Sequence, residues 1–95
     1  MFIVLLRFSD NKSQAGEYME GHNAWIKQGF TDGVFLLVGS LESGLGGSVI
    51  AHNTTREELQ QRVTDDPFVA GNVVTAELIE ISPKKVVERL GFLVG

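Results

Sequence analysis

The run Phe2-Ile3-Val4-Leu5-Leu6-Arg7-Phe8 carries apolar side chains on both faces of an extended strand. With a period of two, Phe2, Val4, Leu6 and Phe8 point one way, and Ile3 and Leu5 point the other. Two further segments repeat the pattern. In Val34–Val38, Val34, Leu36 and Val38 oppose Phe35 and Leu37. Between Asn72 and Ile81, Val74, Ala76 and Leu78 oppose Val73, Ile79 and Ile81. A sheet with water on one side alternates apolar with polar residues. These strands belong to a sheet that must be covered on both faces.

The segments between them read as helices and turns. After the turn-prone Ser9–Ser13, apolar residues recur at helical spacing: Ala15, Tyr18, Met19, His22, Trp25, Ile26 and Gly29/Phe30. This predicts a helix from about Ser13 or Gln14 to Phe30, with Asn11 or Ser13 as N-cap, stopped by Gly29 and Asp32-Gly33. The glycine-rich stretch Gly39–Gly47 leads to a third strand, Ser48–His52. Thr54 or Thr55 is expected to cap a second helix, with Glu57 and Glu58 in its first turn and Leu59 and Val63 facing inward. Pro67 is expected to prevent its continuation.

The order β-α-β-β-α-β is that of an α+β, ferredoxin-like fold, a four-stranded antiparallel sheet with two helices on one face. The 12 residues 84–95 cannot cover all of the other face by themselves, and the tail together with the long loops is the alternative cover. A second copy of the sheet, packed face to face as a dimeric α+β barrel, is the economical solution. The tail itself carries Val86, Val87, Leu90, Phe92 and Leu93, and is expected to dock on its own domain or on the partner.

Composition narrows the function classes. Ninety-five residues make a single domain, 1–95. Twelve acidic against eight basic side chains leave a net charge of −4 and no basic patch, so no nucleic-acid partner is expected. No apolar run approaches the ~20 residues of a membrane span, and the N-terminus reads as a strand and not as a signal peptide. A cytoplasmic protein is the expectation. With no cysteine, thiolate zinc sites and cysteine nucleophiles are excluded. Gly44-x-Gly46-Gly47 lacks the Gly-Lys-Ser/Thr ending of a phosphate loop and precedes a strand instead of a helix. His22 and His52 have no third ligand at a metal-binding spacing. Neither a cofactor nor a metal is expected.

His22 is the residue that points to chemistry. An imidazole on the inward stripe of a helix needs a hydrogen-bond partner or carries a desolvation cost of about a few kcal/mol. The segment Asp65-Asp66-Pro67-Phe68 is the source of acids expected to meet it, and either aspartate is available. A carboxylate accepting from one ring nitrogen would fix the tautomer and leave the other to move a proton. The same residues also have plain structural readings. His22 is equally a satisfied core histidine, and Asp before Pro is a common capping dipeptide. Trp25 suits the core, a dimer interface or a pocket wall, and Ser40 suits a turn.

Taken together, the N-terminal strand, His22-Asn23-Ala24-Trp25, Gly33, Gly39, Gly46-Gly47, Asp66-Pro67-Phe68 and Val73–Pro83 resemble the YCII-related domain proteins, small dimeric α+β barrels. The resemblance spans nearly the whole chain. It implies that His22 pairs with Asp66, the acid directly before the proline, in a cleft forming the candidate active site. Trp25, Ser40 and Phe68 are the candidate substrate-binding residues. Ser40 stands where the family often has proline, which places a hydroxyl at the pocket. Most of the family has no assigned reaction, and one lineage resembles enzymes that remove chloride from aromatic ring-cleavage substrates. The expected function is therefore acid/base chemistry on a small organic molecule: isomerisation, elimination or dehalogenation. The alternative is a non-catalytic homodimeric module that binds a small ligand or a partner, with a structural His–Asp pair.

Overall fold

A computed structural model describes residues 1–94. Four strands, β1 (Phe2–Phe8), β2 (Phe35–Leu41), β3 (Gly46–Ala51) and β4 (Val74–Glu80), form one antiparallel sheet in the order β2-β3-β1-β4. Helices α1 (Ala15–Thr31), α2 (Arg56–Thr64) and the single turn α3 (Pro67–Ala70) complete the layer that packs on it. This is the α+β, ferredoxin-like architecture expected from the order of elements.

The core lies between sheet and helices. Phe2, Val4 and Leu6 of β1, Val49 and Ala51 of β3, and Val74 of β4 meet Leu59 and Val63 of α2 and Phe68 of α3. The two buried residues of α2 sit four apart on one face, as its i, i+4 spacing requires. Thr55 closes that helix with a capping box: its hydroxyl accepts from the Glu58 amide, while the Glu58 side chain accepts from the Thr55 amide.

Helix α1 approaches the sheet closely at Gly29, its one buried residue. A Cβ there would overlap the Phe35 ring. The inward line runs Ala15, Tyr18, His22, Trp25 and Gly29, while Met19 and Phe30 lie at its exposed edges.

Several elements differ from their sequence-based bounds. Neither Asn11 nor Ser13 caps α1: its N-cap is Gln14, which makes no side-chain cap bond, and a short 3-10 turn, Lys12–Gln14, precedes it. The Asn11 side-chain Nδ2 instead donates to the Gly71 carbonyl, 3.0 Å away. Pro67 starts α3 instead of merely ending α2, because at the first helical position its missing N–H costs nothing. β2 runs to Leu41 and β3 starts at Gly46, so most of the glycine-rich connection is sheet. A register shift between Phe35 and Leu37 also breaks the simple alternation of β2. The extra residue of a bulge puts Phe35 on the same helix-facing side as Val38.

Among the described residues, no helix packs on the far face of the sheet. Ile3, Leu5, Leu37, Ile50 and Ile79 lie on it, with the Arg7–Glu77 ion pair at one end. Leu37 is 49% exposed and Ile79 38%. The tail passes the end of β3, where the Phe92 ring meets His52 edge-on with centroids 5.4 Å apart. Val87, Leu90, Phe92 and Val94 remain exposed there. Gly95, the last residue of the expected docking tail, lies outside the described residues.

Candidate functional site

The site is assembled by a cap. Asp66 closes the N-terminus of α3, its Oδ1 accepting from the Phe68 amide at 3.0 Å. The same oxygen accepts from Nδ1 of His22, 2.8 Å away. An ionised carboxylate can only accept, so in the neutral ring the contact selects the tautomer with the proton on Nδ1 and a lone pair on Nε2. Asp66 is fully buried and the His22 side chain 14% exposed. Asp65, its neighbour in sequence, is exposed and lies at the C-terminus of α2.

Asp66 Oδ2 is the one buried polar side-chain atom without a partner among the described residues. Nε2 of His22 also bonds no protein atom there, but it is not buried. The pair thus has a sealed carboxylate at one end and an accessible nitrogen at the other.

Rings fix the imidazole plane. Phe68 lies against it with centroids 3.9 Å apart and planes 3° from parallel. Trp25 stands further off, at 5.9 Å and 22°.

His22 and Phe68 open onto a cavity of about 330 Å³ between α1 and the sheet. Met19, Asn23 and Ile26 line its helix side; Leu6, Val38, Ser40, Gly47 and Val49 line its sheet floor. Of the residues expected at a site, His22, Phe68 and Ser40 share this cavity, and Asp66 sits directly behind His22. Trp25 does not line it. Its indole N–H donates to the Arg62 carbonyl at 2.8 Å, and it borders a separate groove with Gln28 and Arg62. Ser40 is in strand β2, paired with Gly47, and not in a turn. His52 lies at the opposite end of β3, with Met1 and Phe92. Among the described residues, no cluster of three or more His, Asp or Glu side chains could hold a metal ion, and no helix is long and apolar enough to cross a membrane.

Asn23, Val38 and Gly47 line the cavity without a sequence-based expectation of a site there. Gly47 had one legible signal: a glycine within a strand often marks close approach of another group.

No protein-family model matches the chain, and neither does any curated protein. Among solved structures, the fold is similar to that of 5-chloro-2-hydroxyhydroquinone dehydrochlorinase from Burkholderia phenoliruptrix AC1100, in complex with 2,5-dihydroxybenzoquinone. The TM-score is 0.68 at 13% identity, over 85% of this chain and 93% of that one. At this identity the likeness establishes a shared fold.

Proposed function

We propose that the protein is a small acid/base enzyme of the YCII-related type, with His22 as general acid/base and Asp66 as its orienting carboxylate. The observation that carries this reading is the 2.8 Å contact between His22 Nδ1 and Asp66 Oδ1, with Nε2 left accessible beside a cavity. Such a nitrogen takes a proton from a bound molecule and returns it at another atom. The electron pair released by deprotonation forms a new double bond, and either a proton is added elsewhere or a leaving group such as halide departs. Isomerisation and elimination both follow from this one step. The buried carboxylate balances the charge of the imidazolium that forms. The dehydrochlorinase of similar fold makes halide elimination the first reaction to test.

The protein acts as a homodimer, the bare sheet face covered by that of a second copy. The exposed Leu37 and Ile79 on that face support this, since monomers rarely leave such residues contiguous with further apolar surface. The tail residues Val87 and Phe92 are then covered by the same association.

One observation favours a second reading. Asp66 caps α3, so its burial has a structural reason independent of catalysis. In that case the protein binds a small ligand without turnover. Chloride release from 5-chloro-2-hydroxyhydroquinone, followed alongside isomerisation assays on small carbonyl compounds, distinguishes the two. Turnover lost in His22→Gln with the fold retained supports the enzyme. Binding without turnover in the native protein selects the second reading.

A further inference from the structure

Gly47 occupies the floor of the cavity, and the fold does not demand a glycine there. It pairs with Leu6 on one side and Ser40 on the other. It lies two residues before Val49, so a side chain at 47 would rise on the same face as that buried valine, toward α1. Its φ is not in the left-handed region, which β3 reserves for Gly46. A Cβ at 47 would meet the Gly39 carbonyl oxygen at 3.4 Å and nothing closer. By contrast, a Cβ at Gly46 or Gly29 would collide with its neighbours. A strand glycine without such need forfeits strand stability. What it leaves is space on the floor of the cavity that His22 and Phe68 also line.

The charges around that space are equally informative. Among the described residues, His22 is the only ionisable side chain in the lining. Among the described residues no lysine or arginine lines the cavity; the ammonium of the exposed Lys12 lies over the ring of Phe8, 4.8 Å from its centroid, and the imidazole's own charge, once formed, is already offset by Asp66 at 2.8 Å. No lining carboxylate faces a cation either, because Asp66 is fully buried. A ligand bearing either sign of charge would lose hydration without a counter-ion. Asn23 and Ser40 offer uncharged hydrogen bonds.

We infer that this cavity takes an uncharged, flat, single-ring compound bearing hydroxyl or carbonyl groups, lying over Gly47, and that Gly47 sets this specificity. The inference names the substrate class of the acid/base site proposed above and rests on that site, but it concerns binding, which can be read without turnover. A ring over Gly47 has the backbone below it and the polar groups of Asn23 and Ser40 at its rim.

The test is an amide-resolved NMR titration of the full chain with hydroquinone, benzoate and phenyl phosphate as probes. Hydroquinone should shift the Gly47, Ser40 and Asn23 amides, and the two anions should bind at least about tenfold more weakly. Gly47→Val should keep the dispersed native spectrum and weaken hydroquinone by at least about tenfold through steric overlap. Gly47→Ala serves as the milder variant if valine disturbs the strand, with a smaller loss in the same direction. Anions binding as tightly as hydroquinone, absence of any hydroquinone response, or unaltered binding in a folded Gly47 variant would each overturn the inference. His22→Gln should still bind hydroquinone. A native protein that binds hydroquinone at Gly47 but turns over nothing sinks the acid/base proposal and supports this one.

Discussion

The imidazole of His22 lies flat against the ring of Phe68, with centroids 3.9 Å apart, while its edge is held by Asp66 two residues before that ring. One short segment, Asp66-Pro67-Phe68, thus sets both the tilt and the plane of the histidine. Phe68 is itself buried in the core. A change at 68 therefore acts on stability and on the site together, and the two effects separate by choice of substitution. Phe68→Ala should destabilise the protein by about 3–5 kcal/mol, whereas Phe68→Leu, which nearly conserves volume, should cost about 1–1.5 kcal/mol. In the leucine variant the ring current of Phe68 over His22 disappears, while the more distant Trp25 ring stays. Its imidazole proton resonances should move downfield in the proton spectrum, and the proposed activity should fall although the fold persists.

Asp66→Ala removes a cap and leaves the His22 N–H unpaired. A loss of about 1–3 kcal/mol in urea unfolding is expected. Asp66→Asn retains an oxygen for both bonds and should be milder in stability while still losing activity, since the carboxylate charge is gone. Equal unfolding midpoints for native protein and Asp66→Ala would show that the cap contributes nothing.

Asp32 gives the pH dependence. The Gln28 side-chain amide donates to Oδ1 at 2.7 Å and Arg62 bridges Oδ2 at 3.0 Å, and together they hold this carboxyl below its usual range. A carboxyl lowered in the folded state contributes stability that is complete above its unfolded pKa and lost as pH falls through the folded one. Because Asp32 is exposed, salt screens the effect and the contribution is small. Carboxyl-carbon NMR should find its midpoint below that of an unfolded-chain aspartate, and Gln28→Ala should raise it.

Gly29→Ala sets helix propensity against packing. Alanine favours a helix interior by about 1 kcal/mol over glycine. Here its methyl would enter the Phe35 ring, so a net loss of about 1–3 kcal/mol is expected from thermal or urea unfolding. An unchanged or higher stability would show that α1 can move away from β2 freely.

The proposed dimer should sediment at twice the 10.4 kDa chain mass at micromolar concentration. Leu37→Glu, on the bare sheet face, should give a folded monomer. Deleting residues 84–95 should weaken association, because Val87 and Phe92 are solvent-exposed in the single chain. A native protein that sediments as a monomer without aggregation removes the face-to-face arrangement.

The order of elements, the two-faced strands and the inward register of His22 are all local periodicities, and the sequence by itself determined them. So is the cap at Thr55, whose partner Glu58 lies three residues away. The bulge in β2 was not legible, because a register shift is decided by how Phe35 fits beneath Gly29 and not by the pattern of β2 alone. Nor was the choice between Asp65 and Asp66 legible from side-chain chemistry, since they are identical acids at adjacent positions. Tertiary structure decided it: Pro67 begins a new helix turn, which makes Asp66 the cap and turns it inward, while Asp65 stays at the solvent-facing end of α2. Trp25 was displaced from the cavity for a similar reason. Residues three apart on a helix point about 60° apart around its axis, so on the same inward line the indole is turned far enough from His22 to reach the Arg62 carbonyl. The cavity over Gly47 is a property of space left between two layers, and it exists only once α1 is seated on the sheet.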